Sequence, residues 1–183
     1  LRPGPLERAK KNIAEARLTD KIRTVLSDGL TAISQECYDD VVICGMGGET
    51  IISILEAAKI WDSEKWLVLQ PQTAADRLRE YLYQNGYQIL CERFVEDGKK
   101  LYNLLCAQYR GERYPMNPID LLISPAAVRE RPPLFEVYLT NLQQKLRKRR
   151  AGLVRSEQDR SEELKKIDAL LAALERIVSL EKI

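Results

Sequence analysis

No stretch constrains this 183-residue chain more than Val41-Val42-Ile43-Cys44-Gly45-Met46-Gly47-Gly48-Glu49-Thr50-Ile51-Ile52. Four apolar residues in a row predict a strand buried on both faces. The glycines that follow predict a break, after which Ile51, Ile52, Leu55 and Ala58 recur at helical spacing. Strand, glycine turn and helix make the half-unit of an α/β sheet, and ligands of such sheets gather at the carboxyl ends of the strands. Glycine at that point lets the backbone approach a ligand closely. The turn lacks the last glycine of a G-x-G-x-x-G fingerprint, Leu69-Gln70 offers no acid for a ribose, and the Lys-Ser/Thr of a P-loop is absent. The motif therefore argues against a dinucleotide or nucleotide-phosphate site. It leaves open a tight turn that only allows close helix packing.

Histidine is absent, which excludes His-based triads, general bases and metal ligands. The net charge of +2 means that nucleic acid could be held only by local basic patches. The four cysteines, Cys37, Cys44, Cys91 and Cys106, have no C-x-x-C spacing. They read as buried free thiols of a reducing compartment, with no metal site. No run of about 20 apolar residues predicts a membrane span, and no signal peptide is evident. The chain opens Leu-Arg-Pro-Gly-Pro without an initiator Met, as a fragment or processed chain would.

Taken in order, the pattern predicts a helix from Pro5 to about Arg17, a half-buried strand over Ile22–Leu26, and a short helix near Leu30–Ser34. After the central strand and its helix, Trp66–Leu69 predicts a strand stopped by Gln70-Pro71-Gln72. Ala74–Gln84 predicts an amphipathic helix with Leu78, Tyr81 and Leu82 inward, ended by Asn85-Gly86. Gln88–Val95 and Leu101–Tyr109 predict a hairpin around Glu96-Asp97-Gly98-Lys99-Lys100. Residues 1–110 thus read as a partial α/β domain and 111–133, rich in Pro and Arg, as a linker. Residues 134–183 read as a helical hairpin, with Phe135, Tyr138, Leu142 and Leu146 on one stripe and Leu164, Ile167, Leu171, Leu174 and Val178 on the other.

Four short motifs occur in sequence: Ser27-Asp28-Gly29-Leu30; Cys44-Gly45-Met46-Gly47-Gly48; Leu69-Gln70-Pro71; and Glu96-Asp97-Gly98-Lys99 followed by Tyr102. With the appended helical hairpin, they closely resemble the bacterial tRNA (adenine-N1)-methyltransferase family that acts on adenosine 22 of the D-arm. The resemblance implies a Rossmann-like class I methyltransferase sheet, S-adenosyl-L-methionine as cofactor, tRNA as partner and a bacterial cytoplasm. It also implies two further strands and an Asp-rich loop that have no counterpart in this sequence. Without them the sheet would keep a gap beside the Val42 strand, with ladder edges exposed.

By that resemblance Asp28 and Gly29 meet the cofactor adenine, while Gly45, Met46, Gly47 and Gly48 wall its methionine end, where a polarizable Met suits a sulfonium. Gln70, Pro71 and Gln72 (Asn in the family's usual motif) position the target base. Lys99, Lys100 and Tyr102 meet RNA at the hairpin, and Lys145, Arg147, Lys148, Arg149 and Arg150 meet the tRNA backbone. The implied reaction is in-line attack by N1 of a flipped adenine on the cofactor methyl.

Each residue also has a plainer reading: an Asp-Gly turn, a core Met, a Pro strand stop, a solvated hairpin tip, and a charged helix paired with acids such as Glu157, Glu162 and Glu163. A methyltransferase with another substrate, and a non-catalytic RNA or protein interaction module, remain as alternatives. The coiled-coil stripe is also compatible with a homodimer.

Overall fold

The structure is a computed structural model that describes residues 3–98, 100–156 and 159–179. Helix α1 (Pro3–Glu15) leads into the sheet elements β1 (Val41–Gly47), α2 (Gly48–Ala58), β2 (Leu67–Thr73), α3 (Ala75–Gln84), β3 (Tyr87–Asp97) and β4 (Lys100–Tyr109). The four strands lie in the order β1-β2-β4-β3. Strands β1 and β2 are parallel, as the intervening α2 crossover requires, and β4 runs antiparallel to both of its neighbours. Ile51 and Leu55 of α2, Leu78 and Leu82 of α3, and Leu67, Leu69 and Leu105 of the sheet are fully buried together. The predicted half-unit and hairpin are therefore present.

Several expectations change. The central strand is not covered on both faces: Val41 and Ile43 are buried, but Val42 is 67% exposed. Strand β1 pairs only with β2, so among the described residues its far edge and one face stay open. The glycines do not end it at Cys44 either. The strand runs to Gly47 through two register shifts, with Gly45 at φ +79°, and α2 starts at Gly48 without a loop. Likewise β2 continues through Gln70-Pro71-Gln72 to Thr73. A proline is tolerated there because it sits at a bulge, where its missing N–H removes no ladder bond.

The stretch expected as a strand over Ile22–Leu26 forms none. Ile22, Val25 and Leu26 are 43%, 44% and 49% exposed and join no ladder. Alternation makes a strand only when a partner lies one strand spacing away, and here a groove separates residues 23–34 from β1. The helix expected near Leu30 is instead one 3-10 turn at Gln35–Cys37. The thiols differ as well: Cys37 and Cys44 are exposed, and Cys91 and Cys106 are half-buried.

After the sheet come a 3-10 turn at Pro118–Leu121, the short helix α4 (Pro125–Glu130), and the long pair α5 (Phe135–Val154) and α6 (Ser161–Ser179). Ser124 caps α4, its Oγ accepting from the Ala127 amide at 3.1 Å. A second core joins Phe94 of β3 to Ile123, Ala127, Phe135, Leu139, Ile167 and Leu174. The apolar stripes of α5 and α6 thus close on each other and on the sheet within one chain. No helix among the described residues is long and apolar enough to cross a membrane.

Candidate functional site

One cavity runs along the open side of β1 from Val41 to Met46, and another opens at the carboxyl end of β2. The first is a groove of about 600 Å³ between residues 23–38 and β1. Gly29, Leu30 and Ile33 line one side, and Val42, Cys44 and Met46 line the other. Met46 is 42% exposed, so it faces the groove rather than the core. A Cβ added at Gly45 would meet nothing within 4 Å, so the space before the strand end is open. Gly29 takes φ +57° against Ile54. Asp28 is exposed and does not line the groove, although its neighbour Gly29 does; its carbonyl accepts from the Thr31 hydroxyl at 2.9 Å.

Gly48 plays another part. A Cβ there would come within 2.9 Å of the Thr73 carbonyl and overlap Ala74. At Gly47 it would come 3.1 Å from Oγ1 of Thr73. These two glycines let α2 press on the β2–α3 corner, the close-packing reading of the motif.

The second cavity is a cleft of about 480 Å³ between the end of β2, the start of α3, the hairpin and α5. It gathers five residues singled out from sequence: Pro71, Gln72, Lys100, Tyr102 and Lys145. Pro71 is the register partner of Met46, so groove and cleft flank one step of the β1–β2 pairing.

Gln70 does not reach this cleft. It is buried, its Oε1 accepts from the Gly45 amide at 2.8 Å and from Nε2 of Gln72 at 3.5 Å, and its own Nε2 donates to the Pro71 carbonyl at 3.3 Å. Its hydrogen-bonding capacity is used in bracing the two strand ends, which leaves Gln72 as the exposed amide of the pair.

Behind the cleft lies a buried polar network that sequence reasoning missed. Arg79 and Glu92 are 1% and 0% exposed and form a hydrogen-bonded ion pair. Arg79 also donates to the Leu121 carbonyl at 3.2 Å and to the Tyr138 hydroxyl at 3.4 Å. Glu92 accepts from the Asn103 amide group at 3.2 Å and from the Ser124 backbone at 2.9 Å. The Tyr138 hydroxyl donates to the Leu122 carbonyl at 2.9 Å. Burial opposes the charge on Arg79, but Glu92 and Tyr138 more than restore it, so the guanidinium is held protonated more firmly than usual. The network ties α3, β3, β4 and α5 together at the back wall of the cleft. A charged residue inside a strand pattern was the only sequence signal for it.

The basic run on α5 is divided by the fold. Arg147, Arg149 and Arg150 reach α6 and pair with Glu175, Glu163 and Asp168 at 3.7, 3.7 and 2.6 Å. Lys145 and Lys148 turn toward the hairpin instead. Lys99 and Glu157 lie outside the described residues.

The pattern of one family, described as tRNA (adenine(22)-N(1))-methyltransferase, TrmK, matches residues 1–176. A tRNA (adenine(22)-N(1))-methyltransferase of Bacillus subtilis (strain 168) is 33% identical over 138 residues, covering 72% of this chain and 58% of that protein. The chain thus spans less than two thirds of this relative's length. Among solved structures, the B. subtilis m1A22 tRNA methyltransferase TrmK superposes with a TM-score of 0.81 at 26% identity, over 97% of this chain and 79% of that one. A Streptococcus pneumoniae protein solved in complex with S-adenosyl-L-methionine superposes with a TM-score of 0.75 at 27% identity, over 95% and 76% of the two chains.

Proposed function

The chain belongs to the TrmK family of tRNA (adenine(22)-N(1))-methyltransferases, and from that membership we propose that the protein transfers a methyl group from S-adenosyl-L-methionine to N1 of an adenine in tRNA, adenosine 22 of the D-arm. The observation that carries this reading is the Met46–Pro71 step, with a groove on the Met46 side and a cleft on the Pro71 side.

The groove fits the cofactor. Its volume and apolar walls suit an adenosine-sized ligand, and the space before Gly45 is open. Gly29, Gly45 and Met46 would hold it, with Asp28, next to Gly29 in the chain, for the adenine amino group; the polarizable Met46 sulfur suits a cationic neighbour. When bound, that cofactor supplies an electrophilic methyl on a positively charged sulfur.

The chain's own residues position the nucleophile. N1 of a neutral adenine already carries a lone pair, so no strong general base is needed, and a chain without histidine can serve. Rate then comes mostly from holding the reacting atoms in line and within reach. Pro71 and Gln72 border the cleft, and the Gln72 amide can both donate to and accept from a base edge. Tyr102 offers a ring for stacking and Lys100 a charge for phosphate. A stacked or paired adenine hides N1, so the base enters the cleft flipped out. Gln70 positions the site through Gly45 rather than touching substrate. The work belongs to a bacterial cytoplasm, where tRNA is found.

The test is methyl transfer from labelled S-adenosyl-L-methionine to a tRNA transcript, with the modified position read by primer extension. Label on a transcript with adenosine 22, lost when position 22 is guanosine, supports the reading. Label on tRNA at other positions, or only on protein, overturns it.

A further inference from the structure

Asn141, Gln144, Lys145 and Lys148 stand at i, i+3, i+4 and i+7 on α5 and share one face of that helix. Together with Leu101, Tyr138 and Leu142 they line a notch of about 390 Å³ between α5 and the hairpin. Leu101, Tyr138, Leu142 and Lys145 border the larger cleft as well, so the two cavities join. The Tyr138 ring is held in place, stacked on Phe94 at 4.3 Å with its hydroxyl bonded to Leu122.

The four polar side chains on this face have no hydrogen-bond or ion-pair partner among the described residues. The neighbouring arginines contrast with them: Arg147, Arg149 and Arg150 are all engaged by acids of α6. Of five cationic side chains in six residues, the two lysines are the ones without an acid partner among the described residues, and so the ones most available to an anion from outside the chain.

We infer that this face of α5 docks the single-stranded RNA segment next to the flipped adenine. Lys145 and Lys148 each meet one backbone phosphate. An unstacked neighbouring base rests on Leu101, Tyr138 and Leu142. The amides of Asn141 and Gln144 reach its edges, each able to donate and accept. Arg147, Arg149 and Arg150 hold the helix pair together and take no direct part in RNA contact. The inference rests on the RNA reading above and assigns to that RNA a face and a second nucleotide subsite.

The experiment is tRNA binding by fluorescence anisotropy over a series of KCl concentrations. Each phosphate contact contributes about 0.7–0.9 to the slope of log K against log salt. Lys145→Ala/Lys148→Ala is expected to flatten the slope by about 1.4–1.8, with the thermal melting of the protein unchanged. Asn141→Ala/Gln144→Ala is expected to weaken binding at every salt concentration and leave the slope alone. Arg147→Ala/Arg149→Ala is expected to keep the slope and lower the melting temperature of the helix pair. A wild-type slope in the lysine variant overturns the inference, and so does flattening that appears only in the arginine variant. Failure of the unmutated protein to bind tRNA would overturn the RNA reading itself, a result separable from both.

Discussion

The backbone amide of Gly45 donates to Oε1 of Gln70 at 2.8 Å, so the carboxyl ends of β1 and β2 are locked together by a side chain. The bond sits where β1 bends through its register shifts and where groove and cleft approach each other. Gln70→Leu removes the acceptor and leaves a strand-end amide without its partner. The expected loss is about 1–3 kcal/mol of stability, with weaker S-adenosyl-L-methionine binding in calorimetry. Gln72→Leu is expected to leave the melting temperature in place and slow methyl transfer. Equal effects of the two changes would contradict the separate roles.

Breaking the Arg79–Glu92 pair from one side strands a buried charge. Arg79→Met is expected to cost about 3–5 kcal/mol in denaturant unfolding. The double change Arg79→Met/Glu92→Met removes both charges and is expected to cost less than the single one. A double-mutant cycle checks this: the coupling must be large and of the sign that favours paired removal.

The glycines of the motif divide in their response to alanine. Gly48→Ala forces a Cβ into the Thr73–Ala74 backbone, where neither atom is the end of a flexible side chain. It is expected to destabilise by about 1–3 kcal/mol as an overpacked site. Gly45→Ala meets no atom but must hold φ +79°. It is expected to lose cofactor affinity out of proportion to its smaller loss of stability, read by calorimetry and thermal melting on the same sample.

The cysteines give a chemical readout of the groove. Cys44 is exposed and lines it. Cys106 is half-buried, and burial first, then the hydrogen-bonded Cys91 thiol, pushes its thiol up to about 12. Because the thiolate is the reactive form, iodoacetamide at neutral pH is expected to modify Cys44 well before Cys106. S-adenosyl-L-methionine is expected to protect Cys44 and Cys37, which both line the groove, with the half-buried Cys91, away from it, as the internal reference. Peptide mass spectrometry follows all of these sites, and absence of protection at Cys44 would place the cofactor elsewhere.

The Arg150 hydrogen bond holds the Asp168 carboxyl below the ordinary carboxylate range. A depressed folded value means that the unfolded chain takes up the proton first. This contribution to the helix pair is therefore complete above the ordinary value and is lost as pH falls through the lower folded one. Hydrogen exchange of α5 and α6 amides is expected to accelerate across that acidic window in the wild type. In Asp168→Asn the acceleration there should be smaller.

Much of this molecule is set by local sequence: the Val41–Gly48 strand and helix start, the hairpin around Gly98, the capped helix ending at Asn85, and the two C-terminal stripes. Each follows from a periodicity or a turn residue that acts within a few positions. The partner of a strand is not local. Ile22–Leu26 alternates like a strand yet joins no ladder.

Glu92 shows the same limit from the other side. Tyr87 and Ile89 face the core, and unbroken alternation would put Glu92 in solvent. The register shift between Ile89 and Cys91 reverses the faces, so Glu92 and Phe94 turn inward. The run from Lys145 to Arg150 likewise shows charge in the sequence, but not which side chains keep theirs available. The sequence by itself determined the elements and the residue types at their ends. The tertiary structure decided which charges are spent inside the molecule and which face a ligand, because a bulge or a facing helix acts between residues far apart in the chain.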